Sequence, residues 1–187
     1  MATIRSFTHA AGFDETPYVM DWVKDSASPG MALPRTLTTA ALATYSFDVA
    51  DIAIDRVGAA IGFSRCSQNL FNGNLASGEG VLLGDNRPDT RPIHLTFARP
   101  LRALGACVSA IGNRNTPYVG VLWAKVDNEW KRFVSSGELS SKRGSAPFVG
   151  LQVGQGSAIT EAWFDADDDG QPDRFPRVAI GSLYYLV

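Results

Sequence analysis

The sequence predicts an all-β protein: an antiparallel β-sandwich, jelly-roll-like, with an irregular N-terminal arm. Short apolar segments, eight to ten of them, recur at intervals of about a dozen residues with turn residues between them. Glycine and proline are plentiful, at 18 and 10 of 187 residues, and charged residues make up only 19%. No long segment with helical periodicity separates the apolar runs, which disfavours a parallel βαβ sheet. With 45% hydrophobic and 10% aromatic residues the chain can bury a sizeable core.

Residues 1–43 read as an arm packed on the domain and residues 44–187 as the sandwich domain. In the arm, Tyr18, Val19, Trp22 and Val23 have helical spacing, and Pro17 suits a first helical turn, so a short helix is expected over 17–24. Ser26-Ala27-Ser28-Pro29-Gly30 then makes a turn or loop. Residues 37–42 fit a strand or a short helix equally. Beyond Thr44, Phe47 and Val49, then Ile52 and Ile54, alternate with polar or small neighbours, and the phase slips at Ala50-Asp51 as at a bulge or turn. Residues 71–80 are loop-like, 81–84 form a short strand, and Asp85-Asn86-Arg87-Pro88-Asp89 is a turn.

The clearest strand follows: Ile93, Leu95 and Phe97 point one way, His94 and Thr96 the other. Residues 101–111 are apolar on both faces and read as a central strand. A third strand over 118–126 turns at Asp127-Asn128-Glu129 and returns over 130–134 as a hairpin. Residues 148–153 and 159–164 are further strands around Gly154-Gln155-Gly156-Ser157, and 178–187 close the chain.

The formal net charge is −2 and the pI about 5.6, without the basic excess of a general nucleic-acid binder. No apolar run reaches the ~18 residues of a membrane span. No apolar signal core follows Met1-Ala2-Thr3-Ile4-Arg5, so the chain reads as cytoplasmic or as a mature secreted form. Cys66 and Cys107 permit one disulfide; a buried thiol at Cys107, a disulfide and a nucleophile are the alternatives.

Chemistry concentrates in two places. Asp165-Ala166-Asp167-Asp168-Asp169-Gly170-Gln171-Pro172-Asp173 resembles the start of an EF-hand-type loop and the D-x-D-x-D-G-x-x-D loops of dockerins and thrombospondin repeats. A turn at Gly170 would fold Asp165, Asp167, Asp169 and Asp173 around calcium, with the carbonyl of Gln171 as a further oxygen. Pro176 stands where the bidentate carboxylate would be, and the flanks Trp163-Phe164 and Arg177-Val178 read as strands, so a solvated acidic hairpin loop is the equal alternative. The second place is aromatic. Trp123, Trp130 and Trp163 fall in or beside strands. Trp130, just past a hairpin turn, is the candidate sugar platform, with Asn113 and Asn115 as hydroxyl partners; Asn72 and Asn74 offer more. Trp123 reads as core and Trp163 as either.

Catalytic signals are sparse. His9 and His94 read as solvent-facing. Glu161 and Asp165 could form the carboxylate pair of a glycan hydrolase. No G-x-S-x-G, H-E-x-x-H or P-loop occurs. Lys131, Arg132, Lys142 and Arg143 form a modest basic patch opposite in charge to the acidic loop.

The segment order from Asn74 onward carries a resemblance. Gly80-Val81-Leu82-Leu83-Gly84 precedes Ile93-His94-Leu95-Thr96-Phe97-Ala98-Arg99-Pro100-Leu101-Arg102-Ala103-Leu104-Gly105-Ala106, and later come Ala146-Pro147-Phe148-Val149-Gly150-Leu151 and Ala158-Ile159-Thr160. This resembles the β-sandwich domains of bacterial extracellular proteins sorted through a PEP-CTERM tail, over residues 74–187. The sorting tail and a signal peptide have no counterpart in this sequence. The resemblance implies an extracellular or cell-surface, non-enzymatic sandwich with a look of carbohydrate-binding modules.

Three functions follow as expectations: a non-enzymatic binding module, calcium-stabilised and glycan-directed; a structural or oligomeric secreted or surface protein, including a toxin-like subunit, without a small ligand; and a glycan hydrolase using an acidic pair.

Overall fold

The computed structural model describes residues 3–20, 22, 36–38, 52–55, 61–65, 75, 80–85, 92–111, 117–136, 145–167, 175 and 177–187. Its strands are β1 (Ile4–Phe7), β2 (Tyr18–Met20), β3 (Thr36–Thr38), β4 (Ile52–Asp55), β5 (Ile61–Arg65), β6 (Gly80–Asp85), β7 (Ile93–Leu101), β8 (Ala103–Ile111), β9 (Val119–Val126), β10 (Glu129–Ser136), β11 (Phe148–Val153), β12 (Ile159–Asp167), β13 (Arg177–Ile180) and β14 (Leu183–Leu186). A single 3-10 turn, Ala10–Gly12, is the only helical element among the described residues. No helix among them is long and apolar enough to cross a membrane.

The strands form two antiparallel sheets packed against each other. One has the order β1-β11-β8-β13-β6-β5, with β14 beside β8 and β2 beside β14; the other runs β10-β9-β12-β7-β4-β3. Four antiparallel pairs nest by sequence: β9 with β10, β8 with β11, β7 with β12, and β6 with β13. Such nesting arises when one long hairpin is folded over into two layers. Strands β6 to β9 alternate between the two sheets, as do β10 to β13, and the inward residues of both sheets meet in one core. Leu82, Leu104, Val108, Leu151 and Ile180 enter it from the larger sheet, Ile93, Leu95, Leu122 and Phe164 from the smaller.

The hairpin at 127–128 forms as its residues dictate. Asp127 and Asn128 have φ of 50° and 69°, the left-handed pair of a type I′ turn, which matches the twist of the flanking strands. Asp127 also anchors β12. Its amide donates to the Ala158 carbonyl at 3.2 Å, and its Oδ1 accepts from the Ala158 amide at 3.1 Å.

The expected helix over 17–24 is corrected: residues 18–20 are strand β2, hydrogen-bonded to β14. Met20 and Trp22 are buried while Tyr18 and Val19 are exposed, so burial follows the edge of a sheet, not a helix face. Pairing with β14 supplies backbone hydrogen bonds that an isolated eight-residue helix could not match. Trp22 then seals the join, its Nε1 donating to the Gly181 carbonyl at 2.7 Å. At 181–182 the closing strand bulges, since Ile180 pairs with Val108 and Tyr184 with Gly105, four residues against three.

Locally the larger sheet reads β1-β11-β8-β14-β2, so the chain between β1 and β2 crosses the outer face of the three strands between them. Phe7, Phe13, Phe148 and Tyr184 pack together there, with centroids 4.8–6.5 Å apart. Gly105 and Gly150 make room for these rings: a Cβ on Gly150 would lie 2.6 Å from Phe7 Cε2 and 2.9 Å from Phe148 Cε1.

Two buried tyrosines offer a matched test. Tyr118 donates its hydroxyl to the Val108 carbonyl at 3.1 Å. The Tyr185 hydroxyl is buried with no hydrogen-bond partner among the described residues, and burial pushes its pKa up to about 12. Urea unfolding is expected to show Tyr118→Phe about 1 kcal/mol less stable and Tyr185→Phe about 1 kcal/mol more stable, since the second removes a desolvated hydroxyl that gains nothing.

Candidate functional site

The smaller sheet shows its most unusual chemistry on its outer face, and a single extra residue puts it there. Ile159 pairs with Val126 and Glu161 with Lys125, so Thr160 is a bulge. The bulge reverses the phase of β12. Ile159 faces the core, and so do Ala162, Phe164 and Ala166, while Glu161, Trp163, Asp165 and Asp167 take the outer face. Cross-strand register then lines up Arg132, Trp123, Trp163 and His94 across four strands, with Trp130, Lys125, Glu161 and Thr96 in the adjacent row.

The three tryptophans form one cluster. Trp130 stacks on Trp163 with centroids 5.1 Å apart at 24°, Trp123 meets Trp163 edge-on at 5.5 Å, and His94 lies 6.4 Å from Trp130. All three indoles are half-buried, and the Nε1 of Trp163 is fully buried; Trp130 stands on β10 at the edge of the sheet, Trp163 on β12 two strands in. Trp123 was expected in the core. It stands instead on the outer face, because in β9 the core-facing set is Gly120, Leu122, Ala124 and Val126.

Ion pairs border the rings. Glu161 takes the Lys125 ammonium on Oε1 at 2.7 Å, and His94 Nε2 lies 3.2 Å from its Oε2. The Lys125 hydrogen bond holds the Glu161 carboxyl below the usual carboxylate range, and His94 adds to this against the opposing effect of burial. Arg132, on β10, reaches across β9 to Asp167 on β12 at 2.7 Å. Asp167 is 8% exposed, and its Oδ1 is buried with no hydrogen-bond partner among the described residues.

The sequence-expected site residues separate as follows. Trp130 sits in the cluster. Asn113 and Asn115, with Asn72 and Asn74, lie outside the described residues. Of the acidic loop, Asp165 and Asp167 belong to β12, where Asp165 Oδ1 accepts from the Ala166 amide at 2.6 Å; Asp169, Gln171 and Asp173 lie outside the described residues. No group of three or more His, Cys, Asp or Glu side chains converges among the described residues. His9 is exposed, as expected, but His94 is not solvent-facing: its side chain is 13% exposed between Glu161 and Trp130. Lys131 pairs with Glu129 and Arg132 with Asp167; Lys142 and Arg143 lie outside the described residues. Cys66 also lies outside them, while Cys107 packs half-buried against the small cluster of Leu75, Val81, Ala146 and Ala179.

Glu161 and Asp165 share a face but stand four residues apart on an extended strand, about 13 Å between Cα atoms. The carboxyl groups of a glycosidase pair lie ~5–9.5 Å apart, and the general acid needs a raised pKa, the opposite of the shift at Glu161.

A concavity of about 580 Å³ lies where the N-terminal segment meets β11, lined by residues that include Arg5, Asp14, Arg102 and Gln152. Its cations are engaged: Arg5 with Asp14 at 2.6 Å, Arg102 with Glu15 at 3.0 Å. None of its described lining residues is aromatic. The tryptophan face is therefore the better candidate site.

A scan against protein-family models, a search of curated proteins and a search of solved structures each found no match to this chain.

Proposed function

We propose that the protein is a non-enzymatic binding module that takes glycans on the tryptophan face of its smaller sheet. The observation that carries the reading is the half-buried Trp130 on the edge strand β10, stacked on Trp163 and bordered by Lys125, Glu161, Arg132 and Asp167. An indole face offers apolar area to the C–H face of a sugar ring, and mixed donors and acceptors beside it suit hydroxyls. Glu161 is engaged on both oxygens, and Glu161 and Asp165 are not spaced as the acidic pair of a hydrolase.

A glycan array probed with the whole chain tests the reading. Binding is expected, and Trp130→Ala is expected to lower it at least tenfold while the circular dichroism spectrum stays β-type. A blank array, or unfolding of Trp130→Ala, would favour the structural or oligomeric alternative.

Calcium stabilisation is a second part of the proposal. It is supported by the acidic sequence beyond β12 together with the buried Oδ1 of Asp167 at that strand's end, which has no hydrogen-bond partner among the described residues. A cation bound only by the folded chain raises the melting temperature by mass action. Calcium is expected to raise Tm relative to chelator, and Asp169→Ala to abolish the rise. Identical melts with calcium and chelator would remove the metal from the proposal.

A further inference from the structure

We infer that the tryptophan platform selects neutral sugars, specifically chains of equatorially substituted pyranoses such as β-linked glucose or N-acetylglucosamine, over acidic sugars and quaternary amines. The inference rests on the platform reading above and gives it a ligand class.

Ring geometry removes the amines. A trimethylammonium group is held by aromatic rings arranged around a cation-sized space. Here the rings fill one another's space: Trp130 lies on Trp163 at 5.1 Å, and the edge of Trp123 closes against Trp163 at 5.5 Å. Stacked in this way, the rings offer a ligand a ring face and not a cage. Pyranoses with equatorial hydroxyls present a flat C–H face to such a ring, and axial hydroxyls would hold it away.

Charge removes the acids. Among the described residues the Lys and Arg side chains bordering the platform are Lys125 and Arg132, and each already meets a carboxylate at 2.7 Å, Glu161 and Asp167 respectively, while His94 lies 3.2 Å from Glu161. Asp165, on the same face of β12, adds a third acid. A uronate would have to displace a carboxylate partner at 2.7 Å to reach Lys125 or Arg132. Desolvating its carboxylate without a new ion pair is unfavourable. Hydroxyls face no such conflict. Each can donate to a carboxylate oxygen and accept from an ammonium or guanidinium N–H, and the paired groups keep spare capacity of both kinds, since Lys carries three donors and Arg five.

The experiment is titration of the whole chain with cellohexaose, chitohexaose, hexagalacturonate and phosphocholine, read by calorimetry and tryptophan fluorescence. At least one neutral hexasaccharide is expected to bind and to hold its affinity within about twofold when salt is raised, because no net charge is recruited. Hexagalacturonate and phosphocholine are expected to bind at least tenfold more weakly. Glu161→Gln, which frees Lys125, is expected to strengthen hexagalacturonate binding at low salt. Asp167→Asn, which frees Arg132, should do the same, so the test survives if either variant fails to fold. Preferred binding of hexagalacturonate or phosphocholine that Trp130→Ala abolishes would overturn the neutral-sugar inference and leave the platform standing. No gain of hexagalacturonate binding in a folded Glu161→Gln or Asp167→Asn would overturn the charge argument. Failure of all four probes to bind would overturn the inference and the platform reading together.

Discussion

Phe164→Ala is expected to cost about 3–5 kcal/mol of stability, the range for a large aromatic removed from a closed core. Phe164 is 0% exposed and stands between Leu122 on β9 and Ile93 on β7, in the middle of the smaller sheet's inner face. Both neighbours are buried and held in the sheet, so collapse around the missing ring would be limited. Trp123→Ala, one strand away but on the outer face, removes a larger ring yet should cost less, about 1–2 kcal/mol, because that ring keeps part of its area in water and meets Trp163 edge-on across the sheet surface and not inside the core. Urea unfolding of both variants checks the pair, with unchanged m-values required for the comparison. A Trp123→Ala cost equal to or above that of Phe164→Ala would mean that the tryptophan face is a second core and not a surface.

That contrast was partly legible in the sequence. Alternation at Ile93, Leu95 and Phe97 marks the inner face of β7, and these residues are buried as expected. Residues 148–153 form a strand with the expected bounds, and the turn at Asp127-Asn128 has the turn chemistry it needs. Lys125, two residues from Trp123, was an available sign that Trp123 shares a polar face, but the apolar run around it reads as buried on both sides. The phase of β12 was not legible. The extra residue at Thr160 is a property of pairing with Val126 and Lys125, and no local feature of Ile159-Thr160-Glu161 demands it. Without the bulge, Glu161 and Trp163 would point into the core. The strand at residues 18–20 was hidden for the same reason, since local spacing suggested a helix and a strand more than 160 residues away decided otherwise. Distant pairing also explains the ion pair of Arg132 with Asp167, which brings one member of the expected basic patch to the base of the acidic loop.

Gly84→Ala is expected to cost about 3 kcal/mol or more, at the upper end of overpacking effects. Gly84 is buried in β6, paired with Ile61 on one side and Val178 on the other. A Cβ there would fall onto the carbonyl oxygen of Pro92, with the carbonyl carbon at 2.7 Å and Ile93 Cγ1 at 3.0 Å. Pro92 leads into β7 in the opposite sheet, so the glycine marks a point where the backbones of the two layers approach directly. Relief by a side-chain rotation is unavailable, because the obstacle is main chain. Either β6 must leave its register between β5 and β13, or the start of β7 must move away and open the core beside Ile93. Gly156→Ala is the control. Its φ of +86° makes a side chain strained, but no atom lies within 4 Å of the added Cβ, so a cost of about 1 kcal/mol is expected from backbone conformation alone. Urea midpoints for the two variants should therefore differ clearly, and a Gly84→Ala midpoint equal to that of Gly156→Ala would show that the two sheets can separate at this point at little cost.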